Sequence, residues 1–557
     1  MAASLAPGLA RPAPASASAS TSAVATVPTT AATAFGAASS TEACARKKRK
    51  AARKACRAAV RARAAQAQRV RTLAVSTARV ARSQWVVAAR TASLARATAA
   101  TTSHKECKAR KRAEVRQKCH RTVRKHNRAA RGANAAAGRA ARRAEATRQA
   151  AVALVGRPPL QRSLALGSYF SYPNQSGRRQ RAIRSRVLGA IRSTWGGPRD
   201  GQVAWAGSGS IRIVTWSFND WQVAKALRAA HRRGVSVQII AARRPNRDHR
   251  PWHWLRDQLG TERIHPSVTA SSERVSFARH CRGSCRGPGG TPHSKYMLFD
   301  RVGPAQSRHL VVQTSMNLTR MAYQGQWNQA QVMSSPAVYA DFLRVFRESR
   351  QGRRIAVPYH TAALGNVVNY FFPRPQARAE DDPVMQVLSG VKCKGATAGG
   401  TREGRTKIRI VQYAMYGERG QWIAKRLRKL WSAGCDIKII YSISSRPIRL
   451  LLRNGHGRGP IPMRQSILVD RWGWVTGYNH AKWMTITGTW GSSRADHLTL
   501  SGSANWSTAA FSNDEQMQLI RSAATARRHL ESFEQTWRQR STRPPGREIV
   551  SWNIRIA

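Results

Sequence analysis

Ile211-Arg212-Ile213-Val214 returns almost two hundred residues later as Ile408-Arg409-Ile410-Val411, and this repetition decides the fold. Each quartet reads as a buried strand. Each leads into an amphipathic helix, marked by Val223-Ala224-Lys225-Ala226-Leu227 in the first copy and Ile423-Ala424-Lys425-Arg426-Leu427 in the second. Gly234 and Gly434 stand where those helices should stop, because glycine accepts the left-handed backbone that closes a helix. A second apolar strand follows at 235–240 and at 436–440. Strand, helix and strand in this order imply a right-handed crossover and a parallel core. The expected fold class is α/β: two similar βαβ lobes, made by duplication, with one site at their interface.

Further along, the first copy reads His293-Ser294-Lys295-Tyr296-Met297-Leu298-Phe299-Asp300. The second reads His480-Ala481-Lys482-Trp483-Met484-Thr485-Ile486-Thr487. Residues two apart on a strand share a face, so each histidine should point the same way as its lysine. Ser315-Met316-Asn317 and Ser503-Ala504-Asn505 follow, in register to within one residue. This inventory suits a phosphodiester. Two lysines neutralise the nonbridging oxygens, and two asparagine amides donate hydrogen bonds to them. One neutral imidazole can attack phosphorus while the other protonates the departing alcohol and then activates water. No carboxylate cluster suggests a magnesium or calcium site.

His-x-Lys-x4-Asp with a later Ser-x-Asn resembles the HKD signature of the phospholipase D superfamily, and in particular secreted phospholipase D-like proteins of actinobacteria. The resemblance covers roughly residues 160–557. It implies a phosphohistidine mechanism without metal or organic cofactor, with His293, Lys295, Asn317, His480, Lys482 and Asn505 in the site. In the family an acidic residue after Ser-x-Asn orients a histidine across the lobe interface. The second copy offers Glu515, which should back His293, and the first offers only an amide, Gln329 or Asn328. His293 is then the expected nucleophile and His480 the acid. Ser315, Ser503 and Asp300 are expected in support. Thr487 departs from the pattern where Asp300 keeps it.

The remainder of the 557 residues is dominated by charge. A formal net charge of +70 and a pI near 11.9 attract polyanions, whether nucleic acid, anionic lipid or acidic wall polymer. Residues 1–40 read as a disordered Ala/Ser/Thr-rich segment or a signal remnant. Residues 41–155 hold roughly 32 basic and 4 acidic residues in an Ala/Arg/Lys-rich run, read as a helical hairpin. It either binds a polyanion or an anionic membrane, or is a stalk that its charge keeps solvated. Cys44, Cys56, Cys107 and Cys119 have equal outer and inner position sums, which fits Cys44–Cys119 and Cys56–Cys107 bridging one antiparallel register. Cys281 with Cys285, and Cys393 with Cys435, are further structural pairs. Eight cysteines favour an oxidising compartment, hence secretion.

The expected domains are 160–373 and 407–557, joined by a hydrophilic linker at 374–406. With both half-sites on one chain, a monomer suffices. His249, His253 and His265 show no metal-ligand spacing. Trp472 and Trp474 either line the substrate mouth or pack in the core. Three readings of function remain open. The first is a phospholipase D cleaving phospholipid headgroups. The second is a metal-independent endonuclease, and the third is a catalytically decayed polyanion-binding protein.

Overall fold

The computed structural model describes residues 86–87, 113–155, 162–175, 177–197, 199–200, 203–204, 207–261, 272–544 and 546–547. The expectations for 1–40, for most of 41–112, for both hairpin disulfides and for His265 fall outside these residues. Cys119 is disulfide-bonded. Residues Ala113–Val155 form one long helix, α1. Among the described residues no helix is long and apolar enough to cross a membrane.

The first lobe contains β1 (Gly167–Ser171), β2 (Ser210–Thr215), β3 (Ser236–Ala242), β4 (Phe277–Cys281), β5 (Tyr296–Asp300), β6 (Leu310–Thr314) and β7 (Gln326–Ser334). Their order across the sheet is β1-β7-β6-β5-β2-β3-β4. The β2–β3 and β3–β4 pairings are parallel, and the other four are antiparallel. The strand that follows the first His-x-Lys, β5, runs antiparallel to β2, so the sheet is mixed where the sequence suggested a parallel core. Helices α2 (Ala182–Ser193), α3 (Trp221–Arg232) and α4 (Arg250–Leu259) cover one face. Ile211 and Ile213 pack there with Val223 and Leu227, while Val214 turns to the other face with Tyr296 and Phe342 of helix α5 (Pro336–Gln351). Burial on both faces is why these strands are almost continuously apolar. Asp220 caps α3 by accepting from Gln222 N and Val223 N. Past the other end, Gly234 has φ +88°, and a Cβ there would lie 1.6 Å from Gly197 O.

The second lobe repeats the plan. It contains β8 (His360–Leu364), β9 (Val367–Phe371), β10 (Lys407–Tyr416), β11 (Asp436–Ser444), β12 (Met463–Val469), β13 (Val475–Asn479), β14 (Lys482–Trp490), β15 (Ser493–Gly502) and β16 (Gln516–Arg521). The sheet order is β8-β9-β16-β15-β14-β10-β11-β12. Two boundaries differ from expectation. The hairpin β8–β9, assigned by sequence to the first lobe, pairs with β16 and so belongs to the second sheet. The supposed hydrophilic linker holds α6 (Pro383–Ser389), whose Val384, Val387, Leu388 and the following Val391 share a core with Ile408 and Ile410 of β10 and Leu427 of α7 (Gly417–Ser432). Their i, i+3, i+4, i+7 spacing is that of a buried helical stripe, hidden among charged neighbours. Disulfides close Cys281–Cys285 and Cys393–Cys435.

The lobes are stitched together by exchange. β7 of the first runs parallel beside β13 of the second, through Gln326–Tyr478 and Trp327–Asn479. Helix α8 (Ala523–Trp537) of the second lobe contacts β1 of the first, with Tyr172 donating to Ser532 Oγ at 2.9 Å. Helix α5 of the first contacts β8 and β9.

Candidate active site

Neither histidine sits within its motif strand; both lie just before it, on segments whose backbone hydrogen-bonds to the other lobe. His293 donates its backbone N–H to Asp514 O at 2.9 Å, and His480 donates its own to Trp327 O at 2.9 Å. Each imidazole is therefore held by the opposite half of the chain. His293 Nδ1 lies 2.7 Å from Glu515 Oε1, and Ser503 donates to the other carboxylate oxygen. The mirror arrangement surrounds His480. Its Nδ1 is 3.1 Å from Ser315 O and 3.3 Å from Asn328 Oδ1, and Ser315 Oγ donates to Asn328 Oδ1 at 2.8 Å. Of the two candidate amides, Asn328 faces the histidine. Gln329 does not; its side chain reaches Gly502 O at 3.4 Å, while its backbone N–H bonds Ser315 Oγ at 3.1 Å. Adjacent strand residues point to opposite faces, so only one of the pair can serve. Gln516, the equivalent of Gln329, bonds both backbone groups of Lys295 at 3.1 Å.

The lysines obey the same symmetry. Lys482 Nζ donates to His480 O at 2.6 Å, and Lys295 Nζ donates to His293 O. Both are buried. Asn317 and Asn505 each carry a buried side-chain oxygen with no hydrogen-bond partner. Because the two ends of an amide exchange by rotation, such a group can turn its NH2 onto a phosphoryl oxygen. Arg419, wholly buried, fixes Asn505 by donating to its backbone oxygen at 3.0 Å and is itself paired with Asp382 at 2.9 and 3.0 Å.

Charge binds the two half-sites into one. Burial lowers the proton affinity of His293, Glu515 works against it, and Lys295 and Lys482 add to it. His480 is driven well below the ordinary histidine range by burial, then by Lys482, Lys295 and His293, against the hydrogen bond to Ser315 O. Burial brings Lys295 down to about 7, and it pushes Lys482 well down with help from Lys295. Glu515 is pushed up by burial, but His293, Lys295 and Ser503 outweigh this and hold it below its usual value. Residues of one lobe thus feel those of the other at every corner. An arriving phosphate anion would restore the charge of both lysines, because an adjacent opposite charge favours the ionised form.

Two aromatic residues were not singled out by sequence. The Trp216 ring meets His293 edge-on at 5.8 Å, and Tyr413 lies 4.9 Å from His480. Each comes two residues after the last valine of its repeated quartet, so a matched offset was the available signal. Asp300 and Thr487 lie at the far ends of their motifs. Asp300 is 3.7 Å from Arg308, and Thr487 donates to Gly399 O at 2.8 Å; neither is hydrogen-bonded to a residue of the site. Among the described residues no group of three His, Cys, Asp or Glu is placed to hold a metal ion.

The sequence matches the family described as cardiolipin synthase, PLD-like domain, at residues 206–350 and 402–537, together half of the chain. The chain belongs to the phospholipase D-like family. The two matched segments fall one in each lobe, and each carries one His-x-Lys. No curated protein sequence matches this phospholipase D-like chain. Solved structures similar to it include the polyphosphate kinase of Porphyromonas gingivalis, at 14% identity and TM-score 0.42, covering 67% of this chain and 50% of that one. This chain thus spans half the length of that kinase. Phosphatidylserine synthase of Haemophilus influenzae Rd KW20 is 11% identical with TM-score 0.40, covering 71% and 91% of the two chains. Nuc of Salmonella typhimurium, a phospholipase D family member, is 22% identical with TM-score 0.22, covering 34% and 96%.

Proposed function

We propose that the chain is a phosphodiesterase working through a phosphohistidine, with His293 as nucleophile and His480 as general acid and base. The observation that carries this reading is the reciprocal hold: Glu515 of the second lobe on His293, and Asn328 of the first on His480. Glu515 accepts the Nδ1 proton of His293, leaving Nε2 free to attack phosphorus and stabilising the imidazolium that results. As the N–P bond forms, the P–O bond to the leaving alcohol breaks, and His480 gives that oxygen its proton. His480 then takes a proton from water, whose oxygen attacks phosphorus and releases His293. Lys295, Lys482, Asn317 and Asn505 bear the nonbridging oxygens throughout.

The substrate proposed is a nucleic-acid strand. A net charge of +70 is far beyond what one phosphate requires and suits a polyanion that runs on past the scissile bond. Phospholipid headgroups, the first reading from sequence, form a second proposal with its own observation. Trp472 and Trp474, 72% and 51% exposed, sit at the tip of the hairpin whose second strand, β13, runs into His480. Exposed tryptophans of this kind settle at lipid–water interfaces. Export is proposed with either, supported by two disulfides in the catalytic lobes. Purified protein in EDTA is incubated with single-stranded DNA and, separately, with phosphatidylcholine vesicles. Strand scission that disappears in His293→Ala supports the nucleic-acid reading. Choline release without scission replaces it with the lipid one, and turnover of neither removes both.

A further inference from the structure

We infer that the arginine-lined cavity at the C-terminal ends of β3 and β4 is a second phosphate subsite, which takes another phosphate of a single-stranded nucleic acid whose base stacks on Trp221 and Trp254. The inference rests on the catalytic reading above and extends it from one phosphate to a strand. The cavity measures about 700 Å³ and is lined by Arg243, Arg244, Arg247 and Arg282, with His253 and His280. All four guanidinium groups are on exposed residues and, among the described residues, none is paired with a carboxylate. Asp248 is the one acidic residue in the lining. A concave surface of one sign focuses its field on an incoming ion of the other.

Position ties this cavity to the reaction. Its walls grow from the C-terminal ends of the parallel strands β3 and β4, where α/β sheets take their ligands. Asn246 in the wall donates to Trp216 O at 3.0 Å, and the Trp216 ring rests against His293. On the other side, Arg243 N bonds Cys281 O at 3.2 Å. Cys281 is bridged to Cys285, whose N–H bonds Asp514, the residue that also accepts from His293 N. The cavity and the nucleophile thus share two sets of supports. His280 is held low by burial and then by Arg256, Arg243, His253 and Arg282.

Lipid headgroups with a single phosphate leave such a cavity unused, and an aromatic pair that includes Trp254 of α4, the helix that supplies Trp252 and His253 to the cavity, points to bases. Trp254 follows His253 in the chain and meets Trp221 edge-on at 5.7 Å; Trp221 is 42% exposed. A basic groove with neighbouring aromatic faces is how single strands are held without sequence preference.

The test compares the wild type with the Arg243→Ala/Arg244→Ala/Arg247→Ala/Arg282→Ala variant on two substrates in EDTA. Bis(4-nitrophenyl) phosphate has one phosphate and reports the catalytic centre alone; a short single-stranded oligonucleotide reports both. The variant should lose roughly 30-fold or more in kcat/KM on the oligonucleotide and stay within about two-fold on the small diester. An oligonucleotide carrying 5-iodouracil should photocrosslink to the peptides containing Trp221 or Trp254. Equal losses on both substrates, no loss on the oligonucleotide, or crosslinks only elsewhere overturn the inference. So does a variant that loses hydrolysis of phosphatidylglycerol vesicles but keeps scission. If the wild type turns over neither substrate, the catalytic reading has failed, and the crosslink map alone decides the cavity.

Discussion

The two half-sites are built from the same parts, and they differ by one charge. His293 faces a carboxylate, Glu515, and His480 faces an amide, Asn328. Each partner is fixed by the serine of its own lobe, Ser503 or Ser315, and each reaches its histidine from the opposite lobe. On the proposed mechanism, this one difference in a duplicated frame separates two identical side chains into a nucleophile and an acid. In that mechanism the carboxylate would support the imidazolium of the phosphohistidine, and the neutral amide would orient the His480 ring without adding charge to it.

The largest way to break the comparison is to remove either ring. His293→Ala and His480→Ala should each lower steady-state turnover of a diester with an alkoxide leaving group by about four orders of magnitude, measured in EDTA. A variant with a loss under ten-fold would show that its half-site is idle. Making the first half-site resemble the second is the next step. Glu515→Gln should reduce kcat by roughly 100-fold with little change in KM, because the carboxylate acts on the transition state. A rise in KM alone would assign Glu515 to substrate binding.

The reverse change, Asn328→Asp, gives His480 the carboxylate it lacks. In the wild type His480 is held low by burial and three cations. A neighbouring carboxylate favours the charged ring and raises its pKa. The acid must be protonated to act, so activity is lost as pH rises through that pKa. The basic limb of the kcat profile should therefore move up by about one pH unit; no movement would mean that another group supplies the proton. The smallest effect belongs to the residue in which the two motifs differ by sequence. Asp300→Asn should leave kcat/KM within about two-fold, since Asp300 lies at the far end of its motif, 3.7 Å from Arg308, and among the described residues makes no hydrogen bond to the site.

Much of this is legible in the amino-acid sequence alone. The quartets Ile211–Val214 and Ile408–Val411 gave away the duplication because both faces of those strands are buried, leaving an unbroken apolar signal. The histidines, lysines and asparagines were legible because the repeat fixes them twice. Where the second sheet begins was not: nothing local in His360–Phe371 says which neighbour it will pair with. Nor was α6, since four apolar residues among charges look like a loop until the surface they cover is known. Asn328 and Gln329 could not be told apart by composition; the direction of one strand residue separates them. The arginine cavity escaped because residues 243–247 and 282 meet only when β3 and β4 lie side by side.

One measurement reaches the central division of labour most directly. The 4-nitrophenolate of bis(4-nitrophenyl) phosphate leaves without a proton, so His480→Ala should still release one equivalent of it in a rapid burst. The enzyme should then stall as an acid-labile, base-stable phosphoryl adduct on His293, identifiable by peptide mapping. His293→Ala should give neither burst nor adduct. A burst from His293→Ala with the adduct on His480 would contradict the assignment outright.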